Sequence, residues 1–322
     1  MISIVLLKTS ILPSQNEHQI ILFGLVFFAI FVIFSLGQLI VNYRRKRHNF
    51  AFYNSIIAAC VVTVMAISGL YVYQNNIFGI NDITRKYFQK RERTILNKKS
   101  TNDHTKRSVI SQMVMRNAAK GLEKQGFVSI PSQNILLPIY NDAYSDKGLN
   151  AGADYANLSE VDPTGQEKPV MGHSNYGLAA HNFNDGHTGF SALQESTNRN
   201  EPYLVNGQLK GSSWLNGQDV LLANQKGIYR YIIYGQTTVS ATEVSILNPT
   251  KNVELTIISC LFPSTQYRII THAKLQKTYT WAQAPAKYVS EFNLNVRHTN
   301  ARANWWNPGI EEGANGNKGG QN

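Results

Sequence analysis

Cysteine is nearly absent from this chain: 322 residues carry two, Cys60 and Cys260. That excludes a disulfide-dense scaffold and a multi-cysteine zinc site, both of which need several thiols at set spacings. Charge is also sparse, at 16% of residues against about 25% in an average globular chain. The shortage is mostly acidic, since 20 Asp/Glu face 31 Lys/Arg. No internal repeat, zinc finger, helix-turn-helix signature or basic-aromatic RNA-binding motif accompanies the excess cations, so a nucleic-acid partner is not expected. At 43% apolar the chain is not broadly disordered, and its length allows at most two folding units at about 150 residues each.

What is present sits in blocks. Ile20–Val41 is a 22-residue run with no charged side chain, and Ser55–Tyr73 is a second uncharged run of 19 residues. At about 1.5 Å per residue each is close to the length that crosses a bilayer core. Two transmembrane helices, 20–41 and 55–73, are therefore expected after an N-terminal tail 1–19. Between them lies a basic loop, 42–54, with Arg44, Arg45, Lys46 and Arg47, which favours a cytoplasmic position. Residues 82–125 hold twelve Lys/Arg against four Asp/Glu and pull the opposite side inward as well, so charge counting leaves the orientation open. The positive charge is membrane-proximal, where anionic lipid headgroups attract it.

Residues 74–125 read as a basic linker with a helix over 108–124, stopped by Gly126. The texture then changes to short strands: 127–130, 134–140, 176–181, 219–223, 227–237, 255–260 and 267–273. With Gly, Asn and Pro between them, they indicate an all-β sandwich or barrel, long enough over 126–281 to bury a sizeable core. Residues 282–322, Gly- and Asn-rich toward the end, are expected to be a disordered tail.

Cys60 falls in the second apolar run and takes no role, since a thiol in lipid stays protonated. Cys260 ends the run Leu255-Thr256-Ile257-Ile258-Ser259-Cys260 and precedes a polar loop, which suits either a nucleophile or an inert buried thiol. If the next strand returns through a turn centred on Ser264, Arg268 stands directly opposite Cys260 with Cβ atoms about 5 Å apart. A guanidinium there favours thiolate and can donate to an oxyanion. A cysteine nucleophile also needs an acid–base partner. The candidates are His173, His181, His187 and His272: His181 closes the run from Tyr176, and His272 shares strand parity with Arg268. Spacing alone does not choose between them.

These residues resemble the sortases, cysteine transpeptidases on the outer face of Gram-positive membranes. Thr256-Ile257-Ile258-Ser259-Cys260 resembles the T-L-x-T-C motif, Tyr267-Arg268-Ile269-Ile270 the arginine strand, and Asn175-Tyr176-Gly177-Leu178-Ala179-Ala180-His181 the N-Y-x-L-A-S-H motif of streptococcal-type class A enzymes. Gly126–Pro131 and Leu137–Tyr140 are similar to the family's first two strands. The resemblance covers 126–280 and implies a closed β-barrel of about eight strands with His181, Cys260 and Arg268 as the catalytic set. It departs from the family in its two apolar runs where class A has one, and in Asn182 where some relatives carry a second histidine. No cofactor is implied. The calcium site of some members needs clustered carboxylates, and Asp185 and Glu243 are available without being placed together.

The resemblance also implies substrates and place. An L-P-x-T-G-type surface protein would be cleaved between Thr and Gly through a thioacyl intermediate. Its Thr would then be joined to the amine of a lipid II-type peptidoglycan precursor. The chain would be a two-span protein of a Gram-positive plasma membrane with its catalytic domain outside and residues 82–125 along the outer leaflet. A membrane-anchored cysteine peptidase that only hydrolyses, and a non-enzymatic surface binding module, are the alternatives.

Overall fold

The computed structural model describes residues 106–303 and 309–320, with scattered helical positions between 61 and 94. The chain divides into two compact units, one of Thr9–Ile80 and one that holds Asn81–Asn322. The expected tail 1–19, spans 20–41 and 55–73 and loop 42–54 lie outside the described residues, apart from five positions of the second span. Among the described residues no helix is long and apolar enough to cross a membrane.

In the second unit, helix α1 (Arg107–Met115) buries Ile110, Met113 and Val114. The helix expected over 108–124 stops early because local side chains compete for its hydrogen bonds. Asn117 accepts from the Ala119 N–H and donates to the Leu122 carbonyl, and Lys124 Nζ donates to the Arg116 carbonyl.

Alternation then builds the barrel. Strands β1 (Gly126–Ile130) and β2 (Ile135–Tyr140) form an antiparallel hairpin, closed by Asn134 at φ 54, a left-handed position that Asn tolerates better than most residues. Val128, Ile130, Ile135, Leu137 and Ile139 face the barrel interior, while Phe127 and Leu136 face outward under α1. Helix α2 (Asp146–Ala151) crosses over to β3 (Ala153–Ala156), which pairs parallel to β2. Next come β4 (Asn175–Ala179), the two-stranded ribbon of β5 (Leu204–Val205) and β6 (Gln208–Leu209), and the short β7 (Gly211–Ser212). Strands β8 (Asp219–Asn224), β9 (Gly227–Ser240), β10 (Glu254–Cys260) and β11 (Tyr267–Tyr279) complete the set. The order β11-β10-β4-β3-β2-β1-β8-β9 is closed by pairing of β9 with β11, so eight strands form a barrel without a free edge, as the resemblance implies.

The tail expected to be disordered folds instead, through its described residues. Helix α3 (Ala286–Val289) and the turn after it place Tyr288, Val289, Phe292 and Leu294 against α1 and the outer face of β1 and β8. Each such side chain contributes roughly 1.5–3 kcal/mol on burial. Arg107 Nη1 ties the two pieces by donating to the carbonyls of Trp281 (2.9 Å) and Ala284 (2.5 Å). Farther on, Glu311 and Glu312 are fully buried.

Candidate active site

Strand geometry brings the expected site residues to one end of the barrel's outer face. Interior positions of β10 and β11 are Leu255, Ile257 and Ala273. The alternate residues Thr256, Ile258, Cys260, Arg268, Ile270 and His272 therefore face outward. The antiparallel register sets Cys260 opposite Arg268, around the turn centred on Ser264. Strand β4 runs parallel to β10, with Ala179 beside Ile258, and the Ala180 N–H reaches the Ile258 carbonyl at 3.4 Å. Tyr176, Leu178 and Ala180 are interior, so His181 continues the outer face next to the Ser259–Cys260 end of β10. Gly189 at φ +61 lets the following loop fold back: a Cβ there would lie 2.3 Å from the His181 carbonyl oxygen.

The residues packed around the thiol are apolar. Ala156, Ala179, Leu247, Ile258 and Ile270 pack with Cys260, edged by the half-buried Tyr144, Ile246 and Phe262. Gly177 has no side chain because Leu247 occupies that space. At the far end of this face a cavity of about 220 Å³ opens between Ala156, Ser174 and Leu247.

Burial dominates the electrostatics. It pushes the Cys260 thiol above its ordinary range, and Arg268 pulls it partly back. It lowers His181 to about 4, with Asp146 acting weakly the other way. Arg268 is buried, and its Nη1 donates to the carbonyls of Thr265 (2.8 Å) and Tyr267 (3.0 Å). These bonds hold the guanidinium at the Cys260 end of the hairpin.

Asn150, which sequence reasoning missed, joins the site from the last turn of α2: its Oδ1 lies 3.2 Å from His181 Nε2. An amide oxygen only accepts, so it pairs with the tautomer that carries the imidazole proton on Nε2, in which the Nδ1 lone pair is available. Its only sequence signal is the Ser145–Asp146 helix start, with Ser145 accepting from the Gly148 N–H.

The other histidines stand apart. His272 is opposite Thr256, four residues and about 13 Å along the strand from Arg268, where it bonds Thr237 Oγ1 at 2.8 Å and stacks on Tyr234. His173 precedes β4 at the cavity end, and His187 is an exposed loop residue. Among the described residues no group of three or more metal-ligating side chains is gathered. Asp185 accepts from the N–H groups of His187 and Thr188, and Glu243 from Ser245, each within its own loop.

Residues 128–276 match the family model described as a sortase domain. Among curated relatives, the chain is 24% identical over 272 residues to Sortase A of Streptococcus agalactiae, covering 80% of this chain and 99% of that one. It is 27% identical over 154 residues to Sortase A of Listeria monocytogenes, covering 48% and 57%. Among solved structures, Listeria monocytogenes sortase A aligns at 24% identity with a TM-score of 0.38 over 52% of this chain and 94% of that one. The matched segment carries the closed barrel, the histidine end of β4 and the Cys260–Arg268 pair, and residues 128–276 are a sortase domain by that match.

Proposed function

We propose that this chain is a membrane-anchored cysteine transpeptidase that joins surface proteins bearing an L-P-x-T-G-like signal to an amine of a peptidoglycan precursor. The observation that carries the reading is the Cys260–Arg268 register pair with His181 alongside on the same outer face. The apolar cluster of Ala156, Ala179, Leu247 and Ile258 beside Cys260 supports a site for the Leu-Pro part of such a signal.

In this reading Cys260, as thiolate, attacks the Thr carbonyl carbon. Arg268 and a backbone N–H stabilise the tetrahedral oxyanion. His181, as imidazolium, gives its proton to the departing Gly amine as the Thr–Gly C–N bond breaks. The resulting thioester is attacked by the acceptor amine, whose proton passes to the now neutral His181. A new amide forms and the Cys260 sulfur leaves. The two apolar runs anchor the enzyme in a Gram-positive plasma membrane, with the barrel outside, where wall precursors are met.

The test is mass spectrometry of the full chain incubated with an L-P-x-T-G peptide. The expected result is an adduct on Cys260 equal to the peptide up to Thr, discharged to an amide by an added amine and absent in Cys260→Ala. Absence of an adduct in the wild-type chain overturns the reading. Release of only the free acid when amine is present makes the enzyme a hydrolase.

A further inference from the structure

The groups at the site come from separate stretches of chain, and two buried amide side chains bridge those stretches. Asn182 directly follows His181 and is 6% exposed. Its Nδ2 donates to the Cys260 carbonyl at 2.8 Å and to Gln194 Oε1 at 2.9 Å, and its Oδ1 accepts from the Asn184 N–H at 2.7 Å. Gln194 follows the 3-10 turn Ser191–Leu193 and is 1% exposed. Its Oε1 accepts from the Phe262 N–H at 3.0 Å, while Nε2 donates to the carbonyls of Phe262 (2.7 Å), Ser196 (2.8 Å) and Arg199 (3.0 Å). One side chain thus grips both backbone groups of a residue two past the thiol, and the other grips the residue that bears it.

The grip falls where sheet pairing runs out. β10 ends at Cys260, and beyond it Leu261 N–H still reaches the Tyr267 carbonyl at 3.1 Å, after which the chain turns toward Arg268. An amide suits this place because it offers a donor and an acceptor at fixed spacing. A carboxylate at 194 would aim an oxygen at three carbonyls, and an apolar side chain would leave those groups without a buried partner.

We propose that Asn182 and Gln194 are positioning residues: as one unit they fix the Cys260 backbone relative to His181 and hold the hairpin that carries Arg268, without touching substrate. This rests on the transpeptidase reading of the site.

The test compares Asn182→Ala, Gln194→Met and the double variant in the detergent-solubilised full chain, in a Cys60→Ala background, with folding checked by near-ultraviolet circular dichroism. Two readouts are taken. The first is kcat and KM for an L-P-x-T-G peptide with an amine acceptor, per titratable Cys260 thiol. The second is the pH–rate profile of Cys260 alkylation by iodoacetamide. A displaced nucleophile costs up to about 10²-fold, so each single variant is expected to lose about 10–100-fold in kcat. KM should stay within roughly threefold, and the double variant should be no worse than the weaker single within about twofold. The alkylation midpoint should fall, because a loosened hairpin admits water to a thiol that burial holds high. Wild-type kcat per thiol overturns the proposal, as does a double variant whose losses multiply. If Asn182→Ala fails to fold, Asn182→Asp, which sets an oxygen against the Cys260 carbonyl, is read by the same criteria. If the wild-type chain is never acylated, the transpeptidase reading falls and the alkylation midpoint decides alone: an unmoved midpoint in both variants overturns the positioning role.

Discussion

Burial at the site acts on Cys260 and His181 in the same sense, disfavouring charge on each: the thiol is raised and the imidazole lowered to about 4. Near neutral pH the resting pair is therefore thiol and neutral imidazole, and the thiolate that the proposed mechanism needs is a minor form. Among the described residues, Arg268 is the group that favours the thiolate here. Arg268→Ala is accordingly expected to move the alkylation midpoint of Cys260 further up and to slow acylation by about 10²–10³-fold, the loss typical of an oxyanion donor. The alanine also strips the carbonyls of Thr265 and Tyr267 of a donor. Arg268→Lys keeps charge without the planar fork and separates the two effects: its midpoint should stay nearer wild type while acylation still falls. Iodoacetamide rates from pH 6 to 11 read this, and a midpoint that drops in Arg268→Ala would sink the electrostatic role. These positions were legible from sequence because strand parity is a strict count: 260 and 268 are opposed around 264 whatever else the barrel does. Asn150 was not legible, because its helix lies in a loop with no periodic signal.

At the level of elements, the strands that could be read share one property, a run of β-formers with apolar alternate positions. β3 was missed because Ala153-Asp154-Tyr155-Ala156 places a carboxyl in the middle of it. Asp154 is fully buried, accepts from the Asp142 N–H at 3.0 Å, and is pushed well above the usual carboxylate range by burial. The C-terminal segment was misjudged for the converse reason: its Gly and Asn content looks unstructured, but the glycines serve turns, as with Gly313 at φ 92 and Gly316 at φ 59, that deliver Glu311 and Glu312 inward. Glu311 Oε1 accepts from the Ala301 N–H at 2.6 Å, and burial raises its carboxyl to about 7. The native state thus holds this proton more tightly than the unfolded chain does. The group's contribution is fully present below its unfolded value of 4.5 and is lost as pH rises through about 7. Glu311→Gln keeps the acceptor and removes the charge. The variant should match wild type near pH 4 and gain roughly 3 kcal/mol over it above pH 8. Urea unfolding at the two pH values measures this, and equal stability gaps at both would show that Glu311 is not buried in the native fold.

For the molecule as a whole, the distribution of charge and the location of the chemistry must agree. Arg44–Arg47 lie between the two apolar runs, and the dense cations of 82–125 follow the second. Positive charge beside a span ordinarily marks the cytoplasmic side, yet both blocks cannot be inside if each run crosses once. The proposed chemistry favours one arrangement. On the proposed transpeptidase reading, a thioacyl intermediate on Cys260 is useful only where the acceptor amine is met, which would put the barrel outside and Arg44–Arg47 inside. In that arrangement the cations after the second run would face the anionic headgroups of the outer leaflet. Lys147 is an exposed residue at the start of α2. In a Cys60→Ala, Cys260→Ala background, Lys147→Cys should be labelled by a membrane-impermeant maleimide on intact cells, while His48→Cys in the inter-run loop should react only after permeabilisation. The reverse pattern would place the barrel in the cytoplasm, and labelling of both on intact cells would leave only one of the two runs spanning the membrane.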